Sequence, residues 1–196
     1  AEAAPAEEAA LRGITIVTLD SALNSDVPVS FVATDNVAAG AKAGQEIARL
    51  VPADRAVALV SHIRGVATAI DREQGTLLAL DDRSEDLVLG PYYSQNDPGL
   101  AYEITMNLMR DIPHLGGIVA MNENSTVGVA RALRDTGAYD RIHLVGFDNS
   151  QEEIEHLEDG VVKALVVQRP FNMGYLGIRT VVQAVRGEEV EPVIYT

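Results

Sequence analysis

The sequence predicts an α/β fold in which parallel sheets are covered by helices. Seven times an apolar, β-branched run stops at a polar side chain: at Asp20, at Asp35 and Asn36, at His62, at Tyr92 and Tyr93, at Asn122, at Asp148 and at Gln168. Helical patterns follow these runs, and alternation of strand and helix builds parallel sheets with helices on both faces. A third feature divides the chain into two lobes. Breaks at Thr34-Asp35-Asn36 and at Arg169-Pro170 look like crossings between layers, because proline drives its predecessor out of the helical region.

The elements follow in order. Residues 5–12 form a helix that stops at Gly13, and 14–19 form a strand. After FVATDN, the segment VAAGAKAGQEIARLV places Val37, Ala41, Gly44, Ile47, Ala48 and Val51 on one helix face, whose small residues let the helix lie close to the sheet. The strand AVALVSH precedes a helix over 71–80, and DLVLGPYY precedes one over 98–109. GIVAMN leads to a helix over 125–134 that Asn122 caps, IHLVGFD to a helix over 151–157, and KALVVQ to the crossing at Gln168. In PFNMGYLGIRTVVQAVRG, Pro170, Gly174 and Gly177 interrupt the start of the last helix and Gly187 closes it. The final EEVEPVIYT is short and extended.

Composition narrows the function. An apolar fraction of 47% with 22% charged residues is that of an ordinary globular protein, and no run is long enough to span a membrane as a helix. Twenty-nine acids against fifteen Lys and Arg give a formal charge of -14, which repels phosphate backbones, so nucleic acid is not an expected partner. Without cysteine there are no disulfides, no thiolate chemistry and no cysteine-ligated zinc. The opening AEAAPAEEAALRG has neither the basic start nor the apolar core of a secretion signal.

Six motifs in register, GITIVTLDS, ATDN before a G-x-x-x-G helix, RGVATAIDREQG, VAMNEN, LVGFDNS and DGVVKALVVQRPFNMGYLG, resemble the periplasmic sugar-binding proteins of ABC transporters, the type I, ribose-binding-like group. The resemblance covers essentially the whole chain. It implies two Rossmann-like lobes joined by three crossing strands, with the ligand clamped between them and no chemical conversion. Laid on that pattern, residues 1–33 and 170–188 form a partial amino-terminal lobe and 37–167 a complete carboxyl-terminal lobe. Residues 34–36, 168–169 and 189–196 supply the hinge crossings and a terminal segment. The family's opening strands have no counterpart here, so these residues alone would bind sugar weakly. The resemblance also implies a membrane permease as partner, self-association through the incomplete lobe, and a periplasmic or extracellular location, free or held as a lipoprotein. No cofactor or metal is expected.

Planar Asp, Asn, Gln and Arg side chains match adjacent sugar hydroxyls, which donate and accept at once. By resemblance, Asp20, Arg72, Asn122, Asp148 and Gln168 hydrogen-bond the sugar. Read singly, Asp20 and Asp148 would cap turns, Asn122 a helix, and Arg72 would be a solvated helix charge. Tyr93 is the expected aromatic platform, since only one of Tyr92 and Tyr93 can face the cleft from an extended segment. Asp35, Asn36 and Arg169 read as hinge residues. Ribose binders carry an arginine where this chain has Ser21, a further candidate contact, and a phenylalanine where it has Thr76, which suggests a roomier or differently polar pocket.

Two other classes compete. The effector domain of a LacI-type repressor shares the fold, and it would need a basic helix-turn-helix upstream. An enzyme would use Asp20, Asp35 and Asp148 as oxygen ligands to a metal, or Glu73 and Glu123 as a metal-free glycosidase pair. The chain has no P-loop, no G-x-G-x-x-G and no spaced histidine pair. His62, His114, His143 and His156 are scattered and read as surface or capped histidines.

Overall fold

A computed structural model describes residues 3–196, so the first two residues of the expected 1–33 segment lie outside the described residues. In chain order the elements are α1 (Ala4–Leu11), β1 (Val17–Leu19), β2 (Ser30–Ala33), α2 (Asn36–Leu50), β3 (Ala56–Ser61), α3 (Ala67–Ala79), β4 (Val88–Tyr93) and α4 (Pro98–Asp111). They continue with β5 (Leu115–Ala120), α5 (Glu123–Thr136), β6 (His143–Phe147), α6 (Gln151–Glu158), β7 (Val162–Val166), α7 (Pro170–Val185) and β8 (Val193–Tyr195). The chain divides into two compact units. One holds the residues through Asn36, Val66–Thr68 and Gln168–Thr196; the other holds Val37–Gly65 and Ala69–Val167.

The larger unit is a five-stranded parallel sheet in the order β4-β3-β5-β6-β7. Every residue of β3 and β5 is buried, which is why these strands read as unbroken apolar runs. Their side chains alternate between two cores. Ala56, Ala58 and Val60 join Ile118, Ala120 and Leu144 beneath Ala101 and Leu108 of α4 and Val129, Ala130 and Leu133 of α5. Val57 and Leu59 join Val119, Val145 and Phe147 beneath Ala39, Ala43 and Ile47 of α2 and Val51 just after it. Helix ends match their chemistry. Asp97 caps α4, accepting from the Gly99 and Leu100 amides with Pro98 in the first turn, and Gly137 closes α5 at φ 64°.

The smaller unit is a three-stranded parallel sheet in the order β1-β2-β8. Val32 and Ala33 are fully buried at its centre, and α7 packs on it through Met173, Gly177 and Thr180. Several expectations change here. The Arg169-Pro170 pair is a helix start, with Arg169 as cap residue and Pro170 in the first turn, where its missing N–H costs nothing. Helix α7 then runs uninterrupted through Gly174 and Gly177. At Gly177 an added methyl would overlap the end of the Leu19 side chain, which would have to shift, so the glycine lets α7 lie against β1 with Leu19 in place. The terminal segment 189–196 supplies β8, a strand of this sheet paired with β2. The strand expected over 14–19 shortens to Val17–Leu19.

Candidate functional site at the carboxyl edge of the larger sheet

Strand β3 is followed by α3 and its neighbour β4, and the chain then crosses to β5 on the other side of β3. The order of winding therefore switches between β3 and β5, the place where open α/β sheets bind ligands outside their carboxyl ends. Arg72 sits at that point. It is 3% exposed, its Nη1 donates to the Met121 carbonyl at 2.7 Å, and its guanidinium lies 4.5 Å from the Phe147 ring centroid. Met121 and Phe147 immediately precede Asn122 and Asp148, so one buried arginine ties together the ends of β5 and β6. This overturns the reading of Arg72 as a solvated helix charge: a buried guanidinium needs hydrogen bonds and a π face to offset desolvation, and both are present.

Glycines bring α3 close enough for this. A methyl on Gly75 would overlap the Val37 carbonyl, and one on Gly40 would overlap the Arg72 carbonyl. Thr76 is fully buried in the same contact and donates to the Gly40 carbonyl at 3.0 Å. Thr76 thus belongs to the α2–α3 contact, which corrects the expectation that it reshapes a pocket wall. The glycines of α2, Gly40 and Gly44, likewise serve α3, while Ala39 and Ala43 face the sheet. Closeness to the sheet comes from Gly116 and Gly117 in β5, where added methyls would meet Val51 and Ile47.

Asn122 caps α5 as expected: its Oδ1 accepts from the Ser125 amide at 3.2 Å, while its Nδ2 donates to Asn96 Oδ1 at 2.7 Å. Asp148 follows β6 at φ 78°, a left-handed backbone that Asp tolerates better than most residues. Its Oδ2 accepts from the Glu123 amide at 3.1 Å and its own amide donates to the Val166 carbonyl at 3.0 Å. The carboxylate therefore rests on the first turn of α5, where the helix dipole favours negative charge.

Tyr92 and Tyr93 point opposite ways, as the pleat requires. Tyr92 lines a hollow of about 230 Å³ with Ile104, Leu108 and Ile112 of α4. Tyr93 lies at the carboxyl edge, and its ring already carries Arg64, whose guanidinium carbon is 4.4 Å from the centroid. Its hydroxyl donates to Glu73 Oε2 at 3.3 Å. Burial, then the Glu73 charge, push the phenol up from its ordinary range against the opposing effect of Arg64. Arg64, Glu73 and Asn96 are edge residues that the sequence reading did not assign to the site.

The other expected residues lie in the smaller unit. Asp20 is exposed after β1 at φ 66°, its amide donating to the Val32 carbonyl at 3.0 Å, and Ser21 beside it is half-buried. Gln168 Oε1 accepts from the Thr34 hydroxyl at 3.0 Å, and Asn36 Nδ2 donates to the Thr34 carbonyl at 3.1 Å. Thr34, the first residue of the expected 34–36 crossing, thus links two of the expected hinge segments. Asp35 is half-buried beside it, while Arg169 is exposed at the start of α7.

Among the described residues no group of three acidic or histidine side chains is placed to hold a metal. His62 and His156 are buried, at 8% and 2% exposure, which removes the surface half of the expectation that they are surface or capped histidines. Burial, then the Arg134 charge, hold His156 below the ordinary imidazole range. Glu153 is fully buried on α6. Its Oε2 accepts from the Ser150 amide at 2.7 Å and the Ser150 hydroxyl at 2.9 Å, closing a capping box two residues beyond Asp148. Burial pushes its carboxyl up to about 7, reinforced by Asp148 and Glu123 and opposed by the Ser150 bonds.

A family model described as a periplasmic binding protein domain matches residues 1–189. The chain belongs to the periplasmic binding protein family. Among its relatives, the ribose import binding protein of Haemophilus influenzae is 29% identical over 180 residues, covering 92% of this chain and 61% of the relative. The D-allose-binding periplasmic protein of Escherichia coli is 28% identical over 196 residues, covering 96% and 63%. The chain thus spans about 60% of the length of the curated relatives it matches. The solved structure of an ABC transporter solute binding protein from Agrobacterium vitis, with bound D-fucose, is 31% identical with a TM-score of 0.92, covering 97% of this chain and 67% of that one. The binding-protein fold, with parallel sheets flanked by helices, is therefore this chain's fold.

Proposed function

We propose that this periplasmic binding protein captures a monosaccharide or polyol for an ABC importer and releases it unchanged to a membrane permease, in the periplasm or at the extracellular face. The observation that carries the reading is Arg72, buried at the switch point and bonded to the strand end that leads into Asn122. A planar donor fork, an amide and the Asp148 carboxylate along one edge match the alternating donors and acceptors of vicinal hydroxyls. Relatives named for ribose and D-allose, and a related structure holding D-fucose, support a sugar of this size. In this reading Asp20, Ser21 and Gln168 contribute contacts from the smaller unit, Tyr93 contributes an aromatic edge, and Asp35, Asn36 and Arg169 serve the hinge. Ligand favours the closed state through contacts that the open state lacks.

Thermal-shift screening of pentoses, hexoses and polyols on the full-length protein, followed by calorimetry on the hit, tests the proposal. Asp148→Ala and Arg72→Ala should each weaken binding at least a hundredfold, the loss of a charge-assisted contact plus the group it leaves unpaired. Asp148→Ala should keep a cooperative melt, since it gives up only one helix-end bond. Wild-type affinity in both variants would sink the site assignment.

A further inference from the structure

We propose that Asn96 is a specificity-determining ligand contact, a one-way amide donor that the fold holds in a fixed orientation at the carboxyl edge. The inference rests on the sugar-site reading above and adds a residue to it. Residues 94–97 form a turn in which the Asp97 amide donates to the Ser94 carbonyl at 3.0 Å, with positive φ at Gln95 (54°) and Asn96 (61°). These are the dihedral signs of a type I′ turn, for which glycine and asparagine are preferred; glutamine at such a φ is strained. The turn is anchored from both sides. Ser94 is fully buried, its amide donates to the Ser61 carbonyl at 2.9 Å, and its hydroxyl lies 2.9 Å from that of Ser125. The Asn96 carbonyl accepts from Asn124 Nδ2 at 3.0 Å.

The direction of the side chain follows from a group that cannot be flipped. The Ser125 backbone N–H can only donate, so the Asn122 atom facing it is Oδ1 and the other is Nδ2. Asn122 Nδ2 then donates to Asn96 at 2.7 Å, which fixes the receiving atom as Oδ1 and leaves Asn96 Nδ2 as the outward end. Turning the Asn96 amide over would set two NH₂ groups against each other. Asn96 is exposed, and no hydrogen bond from its Nδ2 occurs among the described residues. A relay that begins on the α5 backbone therefore presents one oriented donor next to Asn122. Its complement is a ligand oxygen with a free lone pair, a hydroxyl or a ring oxygen, and a ligand lacking oxygen at that place is rejected.

A cycle of ligand and protein changes tests this. With the sugar found by screening and its monodeoxy analogues, one analogue should bind the full-length wild type about tenfold more weakly than the parent. Asn96→Ala should bind the parent about tenfold more weakly and lose discrimination against that analogue alone. Asn96→Asp keeps an acceptor for Asn122 and replaces the outward donor by an acceptor, so it should show the same loss. If Asn96→Asp binds like wild type while Asn96→Ala does not, Asn96 only positions Asn122 and the proposal falls. It falls equally if every analogue is discriminated alike by wild type and Asn96→Ala. Asp148→Ala separates the two readings: intact affinity there removes the sugar site itself, whereas lost affinity there with unchanged Asn96 variants removes this inference alone.

Discussion

The two sheets of this chain are built from the same kind of strand and finished in different ways. In the larger unit β3 and β5 are buried along their whole length between two helix layers, and Leu59, Ile118 and Leu133 have no exposed surface. In the smaller unit the flanking strands keep exposed apolar residues, with Leu19 at 42% and Val193 at 45%. Helix α7 buries one face on the sheet and turns Phe171, Tyr175, Ile178, Val182 and Val185 outward. The contrast teaches where sequence pattern reports stability and where it reports a surface still to be covered. An apolar residue on β3 or β5 is covered within its own unit; those on the outer face of α7 stay largely exposed there.

Truncation measures that difference most directly. Leu59→Ala should cost about 2–5 kcal/mol in urea unfolding, the transfer term plus a cavity in a close-packed core. Ile178→Ala, measured at concentrations low enough to keep the chain monomeric, should stay within about 0.5 kcal/mol, because 66% of Ile178 is already exposed. Equal losses at the two positions would show that α7 is covered in solution and that the two units do not differ in this way.

The closure of the larger unit also has a cost, carried by Glu153. Its native carboxyl is pushed up to about 7 from an ordinary 4.5, so the native state holds a proton that the unfolded chain releases between those values. The unfolded state then binds fewer protons, and stability falls as pH rises through the window from about 4.5 to 7. The full difference is up to about 3 kcal/mol. Glu153→Gln mimics the protonated acid. Relative to wild type it should gain stability from pH 5 to about pH 7 in denaturant titrations and hold that gain to pH 8. A constant difference across that range would show that Glu153 is charged and tolerated in its buried place.

Much of the site was legible because strand ends are legible. Asp20, Asn122 and Asp148 stand where β-branched runs stop, and Asn122 three residues before Ser125 announces a helix cap. Residues whose role depends on a neighbouring element were not. Thr76 follows Arg72 in a family pattern, yet the glycine contact between α2 and α3 draws it inside. Gly174 and Gly177 lower helix propensity, yet α7 runs through both, with Gly177 against Leu19 and Gly174 facing open space. Arg64 and Glu73 reach Tyr93 from other segments, which no spacing rule reveals. Asn96 had a signal that was passed over: Ser-Gln-Asn-Asp directly before a helix-starting proline is turn chemistry.

The last prediction has almost no effect on folding and a clear one on assembly. Phe171, Tyr175, Ile178, Val182 and Val185 recur at alternating spacings of four and three, which aligns them in one stripe along α7. The stripe borders an open groove of about 770 Å³ edged by Arg179, Arg186 and Glu188. Removing apolar surface from water contributes about 25 cal/mol per Å², so a continuous stripe of this kind favours contact with a second surface. Light scattering on these 196 residues should therefore show mass rising with concentration. Ile178→Asp places a charge in the middle of the stripe and should return the chain to a monomer, with its unfolding midpoint essentially unchanged because no buried partner is lost. A wild-type monomer at high concentration would mean that the exposed stripe is tolerated by solvent, and the difference between the two units would then lie in their cores alone.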